Sequence, residues 1–191
     1  MIANFNSSYI SPEDYLEGEK ISPIKHEYIR GEVYAMAGAS KAHGIIALNF
    51  ATRLKNHLRG SGSIPYTTDI KVRIEAANVY YYPDVTVTCD ERDRTSLNED
   101  FIRYPRLVVE VLSPTTAAFD RGDKFGDYRT LASLEEYVLI SQERIAVECF
   151  RRNSEGRWEL YVYSQGDEIH LASVDFRFPI AALYEDVMEI N

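Results

Sequence analysis

Glu110 is a carboxylate in the middle of an apolar run, flanked by Leu107, Val108, Val109, Val111 and Leu112 in RLVVEVLSP, residues 106–114. An unpaired charge is costly to bury, so such a group must be neutralised, paired or bound to a cation. A second acid, Asp84, leads the apolar run of YYPDVTVTCD, residues 81–90, and Lys124 lies in DRGDKFGDY, residues 120–128. Carboxylates are hard oxygen ligands suited to Mg²⁺ (or Mn²⁺), and an ion held by one or two of them keeps positions open for phosphate and water. Such an ion neutralises a phosphate and activates a water, while a nearby lysine can orient that water or stabilise phosphate charge. This is the residue set of phosphodiester hydrolysis. Taken singly, each member also has a plainer reading. Pro83-Asp84 is a common turn pair, Glu110 could be a partnered core carboxylate, and Lys124 could be a surface lysine on a helix.

The elements around these residues must bring them together. Ser11-Pro12-Glu13-Asp14 combines a hydroxyl cap, a proline at the first helical position and acids in the first turn, so it starts a short helix to about Glu17. Residues 25–37 read as a hairpin turning at Arg30-Gly31. Ala47, Phe50, Ala51, Leu54 and Leu58 recur at helical spacing, which predicts an amphipathic helix over 41–59, ended by Gly60-Ser61-Gly62. The same stripe carries His43 inward. Strands are expected at 64–74, at 79–89 with Asp84, and at 107–112, the last apolar enough to be covered on both faces. A polar loop is expected at 90–100, a helix at 120–131, strands at 137–140, 145–150 and 158–163, a short strand at 169–171 and a helical turn from Ile180. This order predicts a single domain over 1–191, of α/β (α+β) class, with a mixed central sheet flanked by helices and additional antiparallel hairpins.

Composition bounds the remaining possibilities. The 191 residues carry 30 acids against 21 bases, a net charge of −9, which argues against a general nucleic-acid coat protein. The charge is uneven, however. Residues 41–59 contain Lys41, Arg53, Lys55 and Arg59 and no acid, whereas residues 165–191 hold Asp167, Glu168, Asp175, Glu185, Asp186 and Glu189 against Arg177 alone. On charge alone the basic segment reads first as a solvated helix face, and it is also compatible with a small polyanion footprint. Neither an apolar span nor a signal-like leader is visible, which gives an expectation of a cytoplasmic chain without a membrane segment. Cys89 and Cys149 both lie in apolar strand-like runs and are expected to be reduced and buried.

The strings YYPDVTV, RLVVEVLSPTT and DRGDKFGDYRTLASLEEYVLI, with HEYIRGEVYAMAGASKAHGIIALNFATRL upstream, resemble the Uma2 family (DUF820), a restriction-endonuclease family within the PD-(D/E)XK nuclease superfamily. The resemblance covers roughly residues 10–180. It implies a restriction-endonuclease-like fold and a Mg²⁺-dependent endonuclease acting on DNA; a compact nuclease acting on a duplex often works as a homodimer, since two strands need two sites. The resemblance makes Asp84 and Glu110 the metal-holding acids, with the Val111 carbonyl as a further ligand. The superfamily's usual lysine would fall at Leu112, so Lys124 matches a lysine relocated to the following helix. His43 matches a helix histidine, and Glu27 and Glu32 match acidic hairpin positions, Glu32 as a supporting site residue. YVLIS at 137–141 departs from the family's frequent aromatic-plus-acid ending by placing Ser141 last. Two other functional classes fit the same residues: a non-catalytic nucleic-acid-binding or accessory protein on this fold, and a hydrolase of small phosphodiesters.

Overall fold

The structure is a computed structural model and describes residues 9–96 and 99–187; the first eight residues of the leader reading and Glu189 of the acidic tail lie outside the described residues. Helix α1 (Pro12–Ile21) begins as expected, with the Ser11 hydroxyl accepting the Asp14 N–H at 3.1 Å and Pro12 in the first turn. It runs past Glu17 because nothing breaks it until Ser22, which precedes Pro23 and is held extended. Strands β1 (His26–Ile29) and β2 (Glu32–Ala35) form the expected hairpin. Arg30 and Gly31 both have positive φ, 54° and 101°, the geometry of a tight two-residue hairpin turn. Helix α2 (Lys41–His57) is capped by Ser40, whose hydroxyl accepts the His43 N–H, and it buries Ile46, Phe50 and Leu54.

Two expected long strands are each broken in two. Residues 64–74 form β3 (Ile64–Thr67) and β4 (Lys71–Ile74), separated by a turn in which the Ile70 N–H donates to the Thr67 carbonyl. Residues 79–89 form β5 (Val79–Tyr81) and β6 (Val85–Thr88). Pro83 has no N–H to give to a ladder, and the chain passes from one sheet to another at Tyr82–Asp84. The expected loop at 90–100 contains a short helix, α3 (Glu91–Thr95), capped by Asp90. Strands β7 (Phe101–Ile102) and β8 (Pro105–Leu112) follow. The expected 120–131 helix lies earlier, as three consecutive pieces, Ala117–Phe119, a π-helical Asp120–Lys124 and Phe125–Tyr128, here called α4. The chain continues through β9 (Glu136–Ser141), β10 (Ala146–Arg152), β11 (Trp158–Ser164), β12 (Glu168–Leu171) and β13 (Phe176–Pro179) to a 3₁₀ turn at Ile180–Leu183.

The strands make a mixed six-stranded sheet, β11-β10-β9-β8-β6-β3, a mixed five-stranded sheet, β2-β1-β5-β4-β7, and the hairpin β12-β13. The α+β class with a mixed sheet is as expected; the second extended sheet is what the broken strands add. Within the larger sheet β8 and β9 run parallel, and α4 lies on the connection between them. β8 is covered on both faces, which explains its continuous apolar run. Leu107, Val109 and Val111 pack with α2 and the β12-β13 hairpin, while Val108 and Leu112 pack with α4 and with Val72, Val79 and Tyr81 of the smaller sheet. Side chains alternate along a strand, so Glu110 belongs to the second face, between the two sheets. Both cysteines are free; Cys149 is buried and Cys89 only partly so. Among the described residues no helix is long and apolar enough to cross a membrane.

Candidate active site

Asp84 and Glu110 come together through strand register. β6 and β8 are antiparallel with Val85 opposite Val109, so one step further along the same register Asp84 faces Glu110. Directly opposed residues share a sheet face with Cβ atoms roughly 5 Å apart. Asp84 is fixed from two directions. Its Oδ2 accepts the Val111 N–H at 2.7 Å, and its Oδ1 lies 2.8 Å from Nε2 of His43, which α2 presents one turn before buried Ile46. The Val111 N–H and C=O project to the same side of β8, so the Val111 carbonyl is directed to the Asp84 edge as well.

Lys124 reaches Glu110 from α4. Its Nζ lies 2.9 Å from Glu110 Oε1, 3.1 Å from Glu27 Oε1 and 3.6 Å from Asp120 Oδ1. Asp120 and Lys124 stand at the two ends of the π-helical turn, on one side of α4. Glu27 projects from β1, and its Oε1 also accepts the Tyr82 N–H at 3.3 Å. The Tyr81 ring lies 5.2 Å from the ammonium, its hydroxyl held by Asp127. Four elements therefore converge: β1 and β8 from different sheets, the crossing strand segment at Asp84, and α4.

The electrostatics of this cluster are unbalanced. Glu27, Asp84, Glu110 and Asp120 bring four carboxylates against one lysine and one histidine. Lys124 Nζ is close to Glu110 Oε1 but off the hydrogen-bonding direction, and that buried oxygen has no hydrogen-bond partner. Burial pushes the Glu110 carboxyl well above the usual carboxylate range; Lys124 opposes the rise, while Asp120, Asp84 and Glu27 add to it. Burial by itself would lower the Lys124 ammonium, but Glu110 and Glu27 outweigh it and hold Lys124 well above its ordinary range. Asp120 is likewise raised by burial against the pull of Lys124.

An excess of buried negative charge beside a carboxylate oxygen that accepts no hydrogen bond is what a divalent cation would offset, so the residues present fit such an ion. Among the described residues no group of three or more His, Cys, Asp or Glu side chains forms a metal cage. Mg²⁺ does not require one, since it keeps several waters and uses one or two carboxylates.

The sequence-predicted residues Asp84, Glu110, Lys124 and His43 are thus brought together, with Val111 among them. Glu32 is not. It lies exposed at the start of β2 and bonds the Tyr34 hydroxyl, while Glu27 on the inner strand takes part instead. Asp120 was not singled out from the sequence, although its spacing of four from Lys124 is a legible helical pair. Two residues beyond Glu110, an open cleft of about 330 Å³ begins, lined by Leu112, Ser113, Arg121, Ser141, Glu143 and Arg144 among others.

The Uma2 family profile, described as "Putative restriction endonuclease", matches residues 12–181. The chain belongs to the Uma2 family. Two relatives from Synechocystis sp. (strain ATCC 27184 / PCC 6803 / Kazusa) are similar to this Uma2 chain over most of their lengths. The "Uncharacterized protein slr1290" is 41% identical over 175 residues, covering 92% of this chain and 91% of that one. The "Uncharacterized protein sll1609" is 32% identical over 160 residues, covering 84% and 90%. A solved structure described as "a putative nuclease belonging to DUF820 from Anabaena variabilis ATCC 29413" superposes with a TM-score of 0.74 at 16% identity, covering 92% of this chain and 98% of that one. At that identity the likeness shows a shared fold.

Proposed function

We propose that this Uma2 chain is a divalent-metal-dependent endonuclease that hydrolyses phosphodiester bonds in DNA. The observation that carries the reading is the convergence of Asp84, Glu110 and Lys124 in a buried cluster with surplus negative charge and a Glu110 oxygen lacking a hydrogen bond. Membership of a family described as "Putative restriction endonuclease" supports the same reading.

Asp84 and Glu110 would hold Mg²⁺ or Mn²⁺, with the Val111 carbonyl as a further oxygen donor. Bound there, the ion would supply charge neutralisation at the phosphate and a more acidic water. His43 and the Val111 N–H occupy one oxygen each of Asp84 and fix its orientation, as partners of metal-holding carboxylates commonly do. Lys124 opposes the burial that raises Glu110 and places a positive charge where a phosphate oxygen or an attacking water would sit. Glu110 and Glu27, with a smaller part from Asp120, favour the protonated Lys124 ammonium, which makes it an electrostatic stabiliser in this arrangement rather than a proton acceptor. A duplex has two strands to cut, so the active form is proposed to be a homodimer with two such sites.

The test incubates wild type, Asp84→Asn and Glu110→Gln with supercoiled plasmid and Mg²⁺ or Mn²⁺, after thermal unfolding has shown the variants to be folded. Nicking or linearisation by wild type, abolished by chelation and lowered at least a hundredfold in both variants, supports the reading. No wild-type cleavage, or equal cleavage by folded variants, removes it. Hydrolysis of a small phosphodiester without plasmid cleavage would redirect it to small substrates.

A further inference from the structure

The far end of α2 carries a second polar cavity that the proposed chemistry does not use. It is open, about 220 Å³ in volume, and three of its lining side chains are Lys55, Arg59 and Arg94. No acid lines it. This is unusual in a chain of net charge −9, where bases are outnumbered and mostly paired. Neighbouring Arg53 and Arg92 bridge to Glu185 and Asp90, whereas Lys55, Arg59 and Arg94 join no ion pair among the described residues. The cations come from separate elements, the C-terminal end of α2 and the end of α3, so they are not simply adjacent in sequence. Helix C-termini attract cations, but two helix ends together supply only about one negative charge against three positive ones. The rim between them, Gly60–Ser63, is built with two glycines at positive φ, 79° and 87°. A Cβ at Gly60 would meet open space, and one at Gly62 would meet only the Arg94 guanidinium at 3.7 Å. The rim is therefore low and leaves the cations accessible.

We propose that this cavity binds a backbone phosphate of duplex DNA, about five base pairs from the bond that is cut. The inference rests on the endonuclease reading of the Asp84–Glu110 cluster. Lys55 is twelve residues along α2 from His43, a rise of ~18 Å along the helix axis at about 1.5 Å per residue. With about 3.4 Å between base pairs, that span is roughly five steps of duplex. Lys and Arg suit the ligand because phosphate contacts fix register on the duplex without reading its sequence.

The experiment measures duplex binding by fluorescence anisotropy across a salt series, using the Glu110→Gln protein with Mg²⁺ so that the DNA stays intact. The Lys55→Ala/Arg59→Ala double variant and the Arg94→Ala variant are compared with Arg157→Ala/Arg177→Ala, which removes two exposed charges elsewhere. The cavity variants should weaken binding on the order of tenfold, and the double variant should flatten the log–log salt slope by about 1.8. The control pair should stay within twofold. Equal loss in the control overturns the site, because net charge alone would then explain it. Unchanged binding by the cavity variants also overturns it, and leaves the endonuclease reading standing if plasmid cleavage persists. Absence of any duplex binding overturns both.

Discussion

Lys124 is the single lysine facing three carboxylates, and its removal should expose the charge imbalance directly. In Lys124→Met the side-chain volume is largely kept, but Glu27, Glu110 and Asp120 lose a common counter-charge at 3.1, 2.9 and 3.6 Å. Breaking a buried ion pair by removing one partner costs about 3–5 kcal/mol, because the remaining charge is left in a poor solvent. For a chain of this size that is a fall in Tm of about 6–20 °C. The loss should depend on pH. Glu110 is already raised by burial, and Lys124 is the group that opposes the rise, so its removal raises Glu110 further. A carboxyl whose folded pKa exceeds its unfolded value of about 4.3 takes up a proton on folding, which favours folding at low pH and is lost as pH rises through the folded pKa. The variant should therefore be least stable at pH 8.5 and recover toward wild type at pH 5.5. Adding Glu110→Gln should restore part of the stability at pH 8.5 and reduce the pH dependence. Thermal unfolding followed by circular dichroism at three pH values reads all of this. A Lys124→Met protein within about 1 kcal/mol of wild type at pH 8.5, with no pH dependence, would show that Lys124 is not the buried counter-charge and would undo the electrostatic account of the cluster.

Four further outcomes follow from the same geometry. Calorimetry of Mn²⁺ binding in buffers of different ionisation enthalpy should show proton release and affinity rising with pH, because Glu110 is raised by burial and the ion would need it ionised; affinity independent of pH would contradict it. His43→Ala should lower metal affinity or cleavage about 10–100-fold through loss of the Asp84 contact, with folding kept. Glu32→Ala should leave cleavage within twofold, given its exposed position away from the cluster. Glu136 supplies a control for burial without catalysis. It is fully buried and accepts from Arg151 at 2.7 Å and from the Ala172 and Ser173 N–H groups at 3.0 Å each. Glu136→Ala should lower stability by about 3–5 kcal/mol, measured by denaturant unfolding, while leaving metal binding in the folded fraction unchanged.

The elements with short-range signals were legible in the residues: the capped start of α1, the Arg30-Gly31 hairpin, the α2 stripe and the doubly covered β8. The sequence also marked Glu110, because a charge inside a continuous apolar run stands out without any knowledge of partners. Asp84 and Lys124 were legible by motif order, and the family resemblance was in the same strings. The long-range relations were not in the sequence. Pro83 signals an interruption, but that the chain changes sheets there, and again at the Thr67–Ile70 turn, is set by contacts between distant segments, and so two expected strands became four. Glu27 and Glu32 lie on the same face of the β1-β2 hairpin, since Glu27 pairs with Tyr34 and Glu32 with Ile29. They are told apart by which strand is inner. β1 is bonded on both sides, to β2 and β5, while β2 is an edge, so Glu27 is carried against Lys124 and Glu32 into solvent. Strand order is set by contacts between distant segments, and periodicity within a segment carries no record of it. The position of Lys124 has the same origin: a helix places it on a face, but the parallel β8-β9 crossover lays that face over Glu110.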